Sequence, residues 1–65
     1  MIKFTPTVYQ VEESSIYIEQ IKPEVYVVKE GHRYLNDHEE WTNSPTPFSL
    51  ASAKQVVEDY FEERN

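Results

Sequence analysis

The chain has 65 residues, a formal net charge of −6 at pH 7, one glycine and no cysteine. A chain of this length forms one domain, and without cysteine it has no disulfide, thiolate metal site or cysteine nucleophile. Its acidic excess argues against direct contact with nucleic acid or anionic membranes, because both require Lys and Arg. No segment approaches the roughly 20 apolar residues of a membrane span, so we expect a cytoplasmic protein.

Alternating apolar and polar residues, interrupted by turn signals, predict a meander of antiparallel strands. The predicted strands are Val8–Val11, Ile16–Ile21, Glu24–Lys29 and His32–Asn36, with a further short strand at Glu40–Thr42. Ile2 and Phe4 suggest an extra edge strand that ends at Pro6. Gly31, the only glycine, lies where a two-residue hairpin requires a positive φ.

The C-terminal third of the sequence predicts a loop followed by a helix. Two prolines make Asn43–Phe48 a loop. Apolar residues recur at spacings of three and four over Ser49–Glu63, and Ser49 is a suitable N-cap. The predicted fold class is therefore α+β, a small antiparallel β-meander of three to five strands with one C-terminal α-helix packed on one face.

The two-residue period of the strands assigns side chains to two faces of the predicted sheet. Pairing Ile18 with Val27 leaves an apolar face that the helix does not cover, and an uncovered apolar face is typical of a partner or dimer surface. The residues predicted for that surface are Tyr17, Tyr26, Val28, Leu35 and Trp41. Alternatively, the N-terminal arm or the loop from Trp41 to Phe48 folds over this face, and Trp41 is a core or rim aromatic.

The acidic residues are concentrated in a few places. Asp37, Glu39 and Glu40 lie in one predicted turn, and four more crowd the last two turns of the helix, where the helix dipole disfavours negative charge. We interpret these carboxylates as a surface for a basic protein partner. The residues assigned to it are Glu39, Glu40, Glu58, Asp59, Glu62 and Glu63. Alternatively, the acids only keep the protein soluble.

Catalytic and metal-binding motifs are weak in this sequence. His32, Asp37, His38, Glu39 and Glu40 fall within nine residues, and such side chains bind metals or act as acids and bases. However, their spacing matches no recognised ligand pattern. The hydroxyl residues form no nucleophile elbow, and phosphate-binding loops need glycines that the chain lacks. We therefore predict a non-enzyme with no catalytic residues, no bound metal and no cofactor.

The order of the elements also suggests a family resemblance. The run from Tyr26 to Asp37, then Glu40-Trp41-Thr42, a proline-bearing loop, Phe48 and a helix with Ala53-Lys54 near its start, forms a hairpin-plus-helix layout. It resembles that of many small accessory proteins encoded by bacteriophages, which implies a factor that binds and inhibits or redirects a host protein in the host cytoplasm. The resemblance covers about half the chain and transfers no functional residue.

Together these features predict a non-catalytic acidic module that binds a host protein with a basic surface. One version is inhibition of a nucleic-acid-binding host protein by charge mimicry. The alternative function is that of a small homodimeric structural or regulatory protein, whose copies pair through their apolar sheet faces.

Overall fold

The fold is a six-stranded antiparallel sheet followed by a C-terminal helix. The computed structural model describes residues 2–5, 8–11 and 14–64, with side chains from residue 8 to residue 63 of these ranges. The elements are β1 (Ile2–Thr5), β2 (Val8–Gln10), β3 (Tyr17–Lys22), β4 (Val25–Glu30), β5 (Arg33–Leu35), β6 (Trp41–Thr42) and α1 (Leu50–Arg64). The strands lie side by side in chain order, which confirms the α+β meander. Pro6, where the predicted edge strand ends, lies outside the described residues.

Two tight turns define the central hairpins. Gly31 has a φ of 62° and, with His32, joins Glu30 to its partner Arg33. A positive φ at the first central position alone is the pattern of a type II′ turn, which glycine adopts without steric cost. Glu24 also has a positive φ, 63°, in the turn that follows Pro23. A β-bulge between Gln20 and Lys22 adjoins this second turn.

The helix covers one face of the sheet and forms the core with it. Ser49 caps α1, because its Oγ accepts a hydrogen bond from the Ser52 N–H at 3.1 Å. The helix contributes Ala53, Val56 and Val57 to the buried cluster, as its apolar stripe predicts. Its strand and loop members are Val11, Ile16, Ile18, Val28 and Leu35, with Tyr9, Tyr26, Trp41, Phe48, Leu50, Tyr60 and Phe61 packed around them. In the part of the chain described, no helix is long and apolar enough to span a membrane.

The predicted division of residues between the two sheet faces is wrong from β4 onward. Ile18 pairs with Val28, not with Val27 as predicted, and Val28 pairs with Leu35. The two-residue turn at Pro23 and Glu24 and the adjacent bulge together set this register. A shift of one residue exchanges the faces of a strand, so Tyr26, Val28 and Leu35 lie under the helix.

The burial of these residues agrees with the observed register. Val28 and Leu35 are fully buried, with 0% of their surface exposed, and Tyr26 packs at the edge of the same cluster. Trp41 pairs with Leu35 and therefore also faces the helix. Of the five residues predicted to form one apolar binding face, Tyr17 alone lies on the side opposite the helix.

The side of the sheet opposite the helix is called here the open face. By register its described members are Val8, Gln10, Tyr17, Glu19, Lys22, Val25, Val27, Lys29, Tyr34 and Thr42. Val27 is 1% exposed yet does not belong to the cluster under the helix. Lys22 is exposed, and the other members are half-buried.

Candidate functional site

The two acidic regions predicted from the sequence meet at one groove. This acidic groove has a volume of about 420 Å³ and lies between the β5–β6 turn, the proline-bearing loop and α1. Its lining residues are Asp37, Glu39, Thr46, Pro47, Phe48, Ser52, Gln55, Val56 and Asp59. The turn supplies two of its carboxylates and the helix supplies the third, so groups distant in sequence share one site.

The wall formed by the β5–β6 turn is organised by Asn36. The Asn36 Oδ1 accepts hydrogen bonds from the backbone N–H groups of His38 and Glu40, each at 2.9 Å. Asn36 also exchanges backbone hydrogen bonds within the turn, accepting from the Glu39 N–H at 3.1 Å and donating to the Glu40 carbonyl at 2.9 Å. An asparagine side chain bonded in this way stabilises a turn, and here it holds Asp37 and Glu39 beside the groove.

Glu39 adopts an unusual backbone conformation in this turn. Its φ is 61°, in the left-handed region that costs a residue with a Cβ about 1–2 kcal/mol. The residue is half-buried, and its Oε1 is fully buried. A residue held in such a conformation at a groove wall is a feature typical of functional sites.

The helix forms the opposite wall. Gln55 Nε2 donates a hydrogen bond to Asp59 Oδ1 at 3.0 Å, which orders the Asp59 carboxylate one turn along the helix. Asp59 is half-buried, whereas Ser52 and Gln55 are exposed. This wall therefore presents polar groups that can donate or accept hydrogen bonds, together with one anchored negative charge.

The floor of the groove is apolar and is fixed by backbone pairing. The Tyr26 N–H donates to the Phe48 carbonyl and the Phe48 N–H donates to the Tyr26 carbonyl, both at 2.7 Å. This bridge attaches the proline-bearing loop to β4, beyond the end of β5. Phe48 and the buried Val56 then give the groove an apolar surface beneath its three carboxylates.

The remaining predicted acidic residues are exposed and do not line the groove. Glu58, Glu62 and Glu63 are exposed on α1, and Glu40 is exposed in the turn. The first turn of α1 contains no acidic residue, so the negative charge of the helix is concentrated toward its C-terminal end, as predicted. Glu62 lies three residues beyond Asp59 and continues the same side of the helix.

The aromatic residues beside the groove attach the C-terminal part of the helix to the sheet. Trp41 Nε1 donates a hydrogen bond to Tyr60 Oη at 3.1 Å, and the two rings pack edge to face with centroids 5.6 Å apart. Tyr60 packs in the same manner on Phe61. Trp41 thus contributes to helix packing, and its predicted role in a separate binding face is not supported by its position.

The histidines do not assemble a metal site with the acids. His38 Nε2 lies 3.9 Å from Asp37 Oδ1, and both side chains are largely exposed. His32 lies in the β4–β5 turn and is also exposed. Within residues 8–11 and 14–63, no group of three or more His, Asp or Glu side chains is arranged to hold a metal ion.

The sequence identified two of the three groove acids, Glu39 and Asp59, but gave no sign of the groove itself. Phe48, Gln55 and Asp37 were not assigned to the predicted binding surface. The proline-bearing loop was the available signal, because a rigid loop between an acidic turn and an acidic helix can bring the two together. No protein-family model, curated protein or solved structure matches the chain, so the candidate site is interpreted from its own geometry.

Proposed function

We propose that this chain is a non-catalytic protein-binding module whose acidic groove holds a basic segment of a partner protein. The observation that carries the proposal is the position of Asp37 and Asp59 on opposite walls above an apolar floor. Lys and Arg side chains combine an apolar stem with a cationic head. The stem of such a residue would contact Phe48, and its head would lie among the carboxylates.

The exposed acids of α1 support the same function. Glu58, Glu62 and Glu63 lie toward the end of α1 where the helix dipole is negative, at a cost of about 0.3–1 kcal/mol for each exposed mismatch. Such departures from local electrostatics are typical of functional surfaces. Concentrated negative charge also accelerates encounter with a positively charged partner.

The described lining favours binding over catalysis. It offers carboxylates, hydroxyls and one amide, with no basic side chain among the lining residues. A carboxylate can act as a general base, but covalent chemistry also needs an activated nucleophile, and the Ser52 hydroxyl is bonded to the Ser49 hydroxyl rather than to a groove carboxylate. We therefore assign the groove no catalytic role.

The resemblance to phage accessory proteins adds a biological context to the proposal. In that context the partner is a host protein with a basic surface, in the host cytoplasm, and binding inhibits or redirects it. A nucleic-acid-binding partner fits well, because its basic surface is the one that phosphates normally contact.

The proposal is tested by the affinity of a labelled hexa-arginine peptide, with hexa-lysine as a comparison, measured by fluorescence anisotropy at 150 mM salt. The groove variant carries Asp37→Asn and Asp59→Asn. The matched control carries Glu24→Gln and Glu30→Gln, which remove the same charge from the hairpin ends. At this salt concentration charges act over about 8 Å, so we expect the groove variant to bind about three- to tenfold more weakly and the control to bind nearly as well as the original chain.

Equal weakening in both variants would contradict the proposal, because it would show attraction to net charge without a specific site. No measurable binding of either peptide by the original chain would contradict it as well. Far-ultraviolet circular dichroism of both variants verifies that the substitutions leave the fold intact.

A further inference from the structure

We infer that the open face pairs with the open face of a second copy of this chain, forming a two-sheet sandwich. This inference does not depend on the acidic groove, which lies on the opposite side of the sheet. It starts from the observed register, which gives the open face an apolar centre. Tyr17, Val25 and Tyr34 surround the buried Val27, and the face extends toward Ile21.

Ile21 shows that apolar surface remains uncovered here. It is 48% exposed and is the one large hydrophobic residue classed as exposed among the described side chains. Ile21 lies within the bulge between Gln20 and Lys22, and counting two residues on from Glu19 places it on the open face. An antiparallel sheet with one solvated side normally carries polar residues on that side, whereas this one carries two tyrosines and several valines.

The charge distribution identifies a second copy as the occupant. Two molecules that each carry −6 repel one another unless they meet through a surface free of excess acid. Of the acidic residues in the strands, Glu19 alone lies on the open face by register, and its carboxylate is 3.7 Å from the Lys29 ammonium group. Lys22 pairs with Val25 and adds a positive charge. The strand residues of this face therefore carry no net negative charge.

The Glu19–Lys29 pair also suits a symmetric interface. In a two-fold dimer, a contact between one residue of the first copy and a second residue of the other copy is always matched by the same contact in the reverse direction. A two-fold axis through the centre of the face allows Glu19 of one copy to approach Lys29 of the other, twice over. Each side chain of the pair is about one-third exposed, 36% for Glu19 and 32% for Lys29, so both are accessible for this exchange.

The area of the face is sufficient for a weak dimer. The six strands together contain 24 residues, and at about 3.3 Å per residue and about 4.8 Å between strands they give a face of roughly 380 Å². Two such faces bury roughly 760 Å², an area typical of weak, transient association. We therefore expect a reversible dimer that forms at high micromolar concentration, with the sheets about 10 Å apart.

Sedimentation equilibrium between 10 µM and 1 mM tests the inference. The original chain is expected to change from 7.7 kDa to twice that mass as its concentration rises. Glu19→Lys and Lys29→Glu each place like charges across the interface, so each variant alone is expected to dimerise at least tenfold more weakly. An equimolar mixture restores opposite charges at both contacts and is expected to dimerise again. The double variant, with the pair reversed, is the fold and charge control and is expected to behave as the original chain does.

Two results would overturn the inference. One is an original chain that stays at 7.7 kDa up to 1 mM, which would leave the open face to a different protein. The other is a dimer that both single variants form unchanged, which would place the interface elsewhere. If a single variant fails to fold, the interface is instead located in the original chain, by measuring how its NMR amide chemical shifts change with protein concentration. Shifts at Tyr17, Val25 and Tyr34 are expected, and shifts confined to α1 would contradict the interface.

Discussion

The register of β4 and β5 is tested by replacing two adjacent residues that point to opposite faces. Leu35 is 0% exposed and lies in the cluster beneath the helix. Leu→Ala changes in a buried core cost about 3–5 kcal/mol, because apolar contacts are lost and a cavity remains. A 65-residue domain has a total stability of roughly 3–10 kcal/mol, so Leu35→Ala is expected to remove a large part of it.

Urea unfolding at a concentration where the chain is monomeric is the assay. With a slope of about 1 kcal/mol per molar urea, the midpoint for Leu35→Ala is expected to fall by about 3 M or more, or the variant is unfolded in buffer. Tyr34→Ala, on the half-buried open face, is the matched control, with an expected loss of about 1 kcal/mol. The reasoning is refuted if Tyr34→Ala costs as much as Leu35→Ala, because the strand would then face the other way.

Three further substitutions test local features of the fold by the same unfolding assay. In Gly31→Ala the added Cβ meets no atom within 4 Å, but the residue must keep a φ of 62°. We therefore expect the free energy of unfolding to fall by about 1–2 kcal/mol because of the backbone alone. An unchanged free energy of unfolding would contradict the turn assignment. Ser49→Ala is expected to cost about 1 kcal/mol and Ser49→Gly only a few tenths; equal costs would argue against the cap. Tyr60→Phe removes the acceptor for the Trp41 N–H, and we expect it to lower the free energy of unfolding by about 0.5–1.5 kcal/mol. The Trp41 fluorescence emission is also expected to shift. An unchanged emission spectrum would count against this contact.

Local sequence signals predicted the elements well. Apolar spacing defined the buried stripe of α1, the Ser49 hydroxyl marked its start, and Gly31 marked the β4–β5 turn. Each of these signals depends on residues within a few positions of one another, and their physical requirements are strict. A hairpin with a positive φ needs glycine, and a helix start needs a side-chain acceptor. The α+β meander followed from these signals.

The assignment of β4 and β5 side chains to the two sheet faces was wrong because it depended on a β-bulge in β3, which has no sequence signature. The bulge between Gln20 and Lys22 changes the pairing by one residue, and neither residue type identifies a bulge. That change moved Val28 and Leu35 from the predicted binding face into the core. The sequence of β4 also contains two adjacent valines, Val27 and Val28. Alternation cannot assign adjacent residues to faces when both are equally apolar, and both valines are in fact buried.

The acidic groove was partly predictable for a related reason. The two acidic clusters were evident from composition, but they are about 20 positions apart in sequence and meet only through the fold. Their meeting depends on Phe48, which pairs with Tyr26 in the gap beyond β5. Such pairing across a loop is a tertiary contact, and local patterns do not encode it.

Paramagnetic NMR can locate a basic peptide bound in the acidic groove. A spin-labelled hexa-arginine peptide is added to the nitrogen-15-labelled chain, and the loss of each amide signal is measured. We expect the strongest losses at Phe48, Ser52 and Gln55, and we expect these signals to be retained in the Asp37→Asn/Asp59→Asn variant. Losses of similar size at Glu24 and Glu30, or losses that persist in that variant, would contradict binding in the groove.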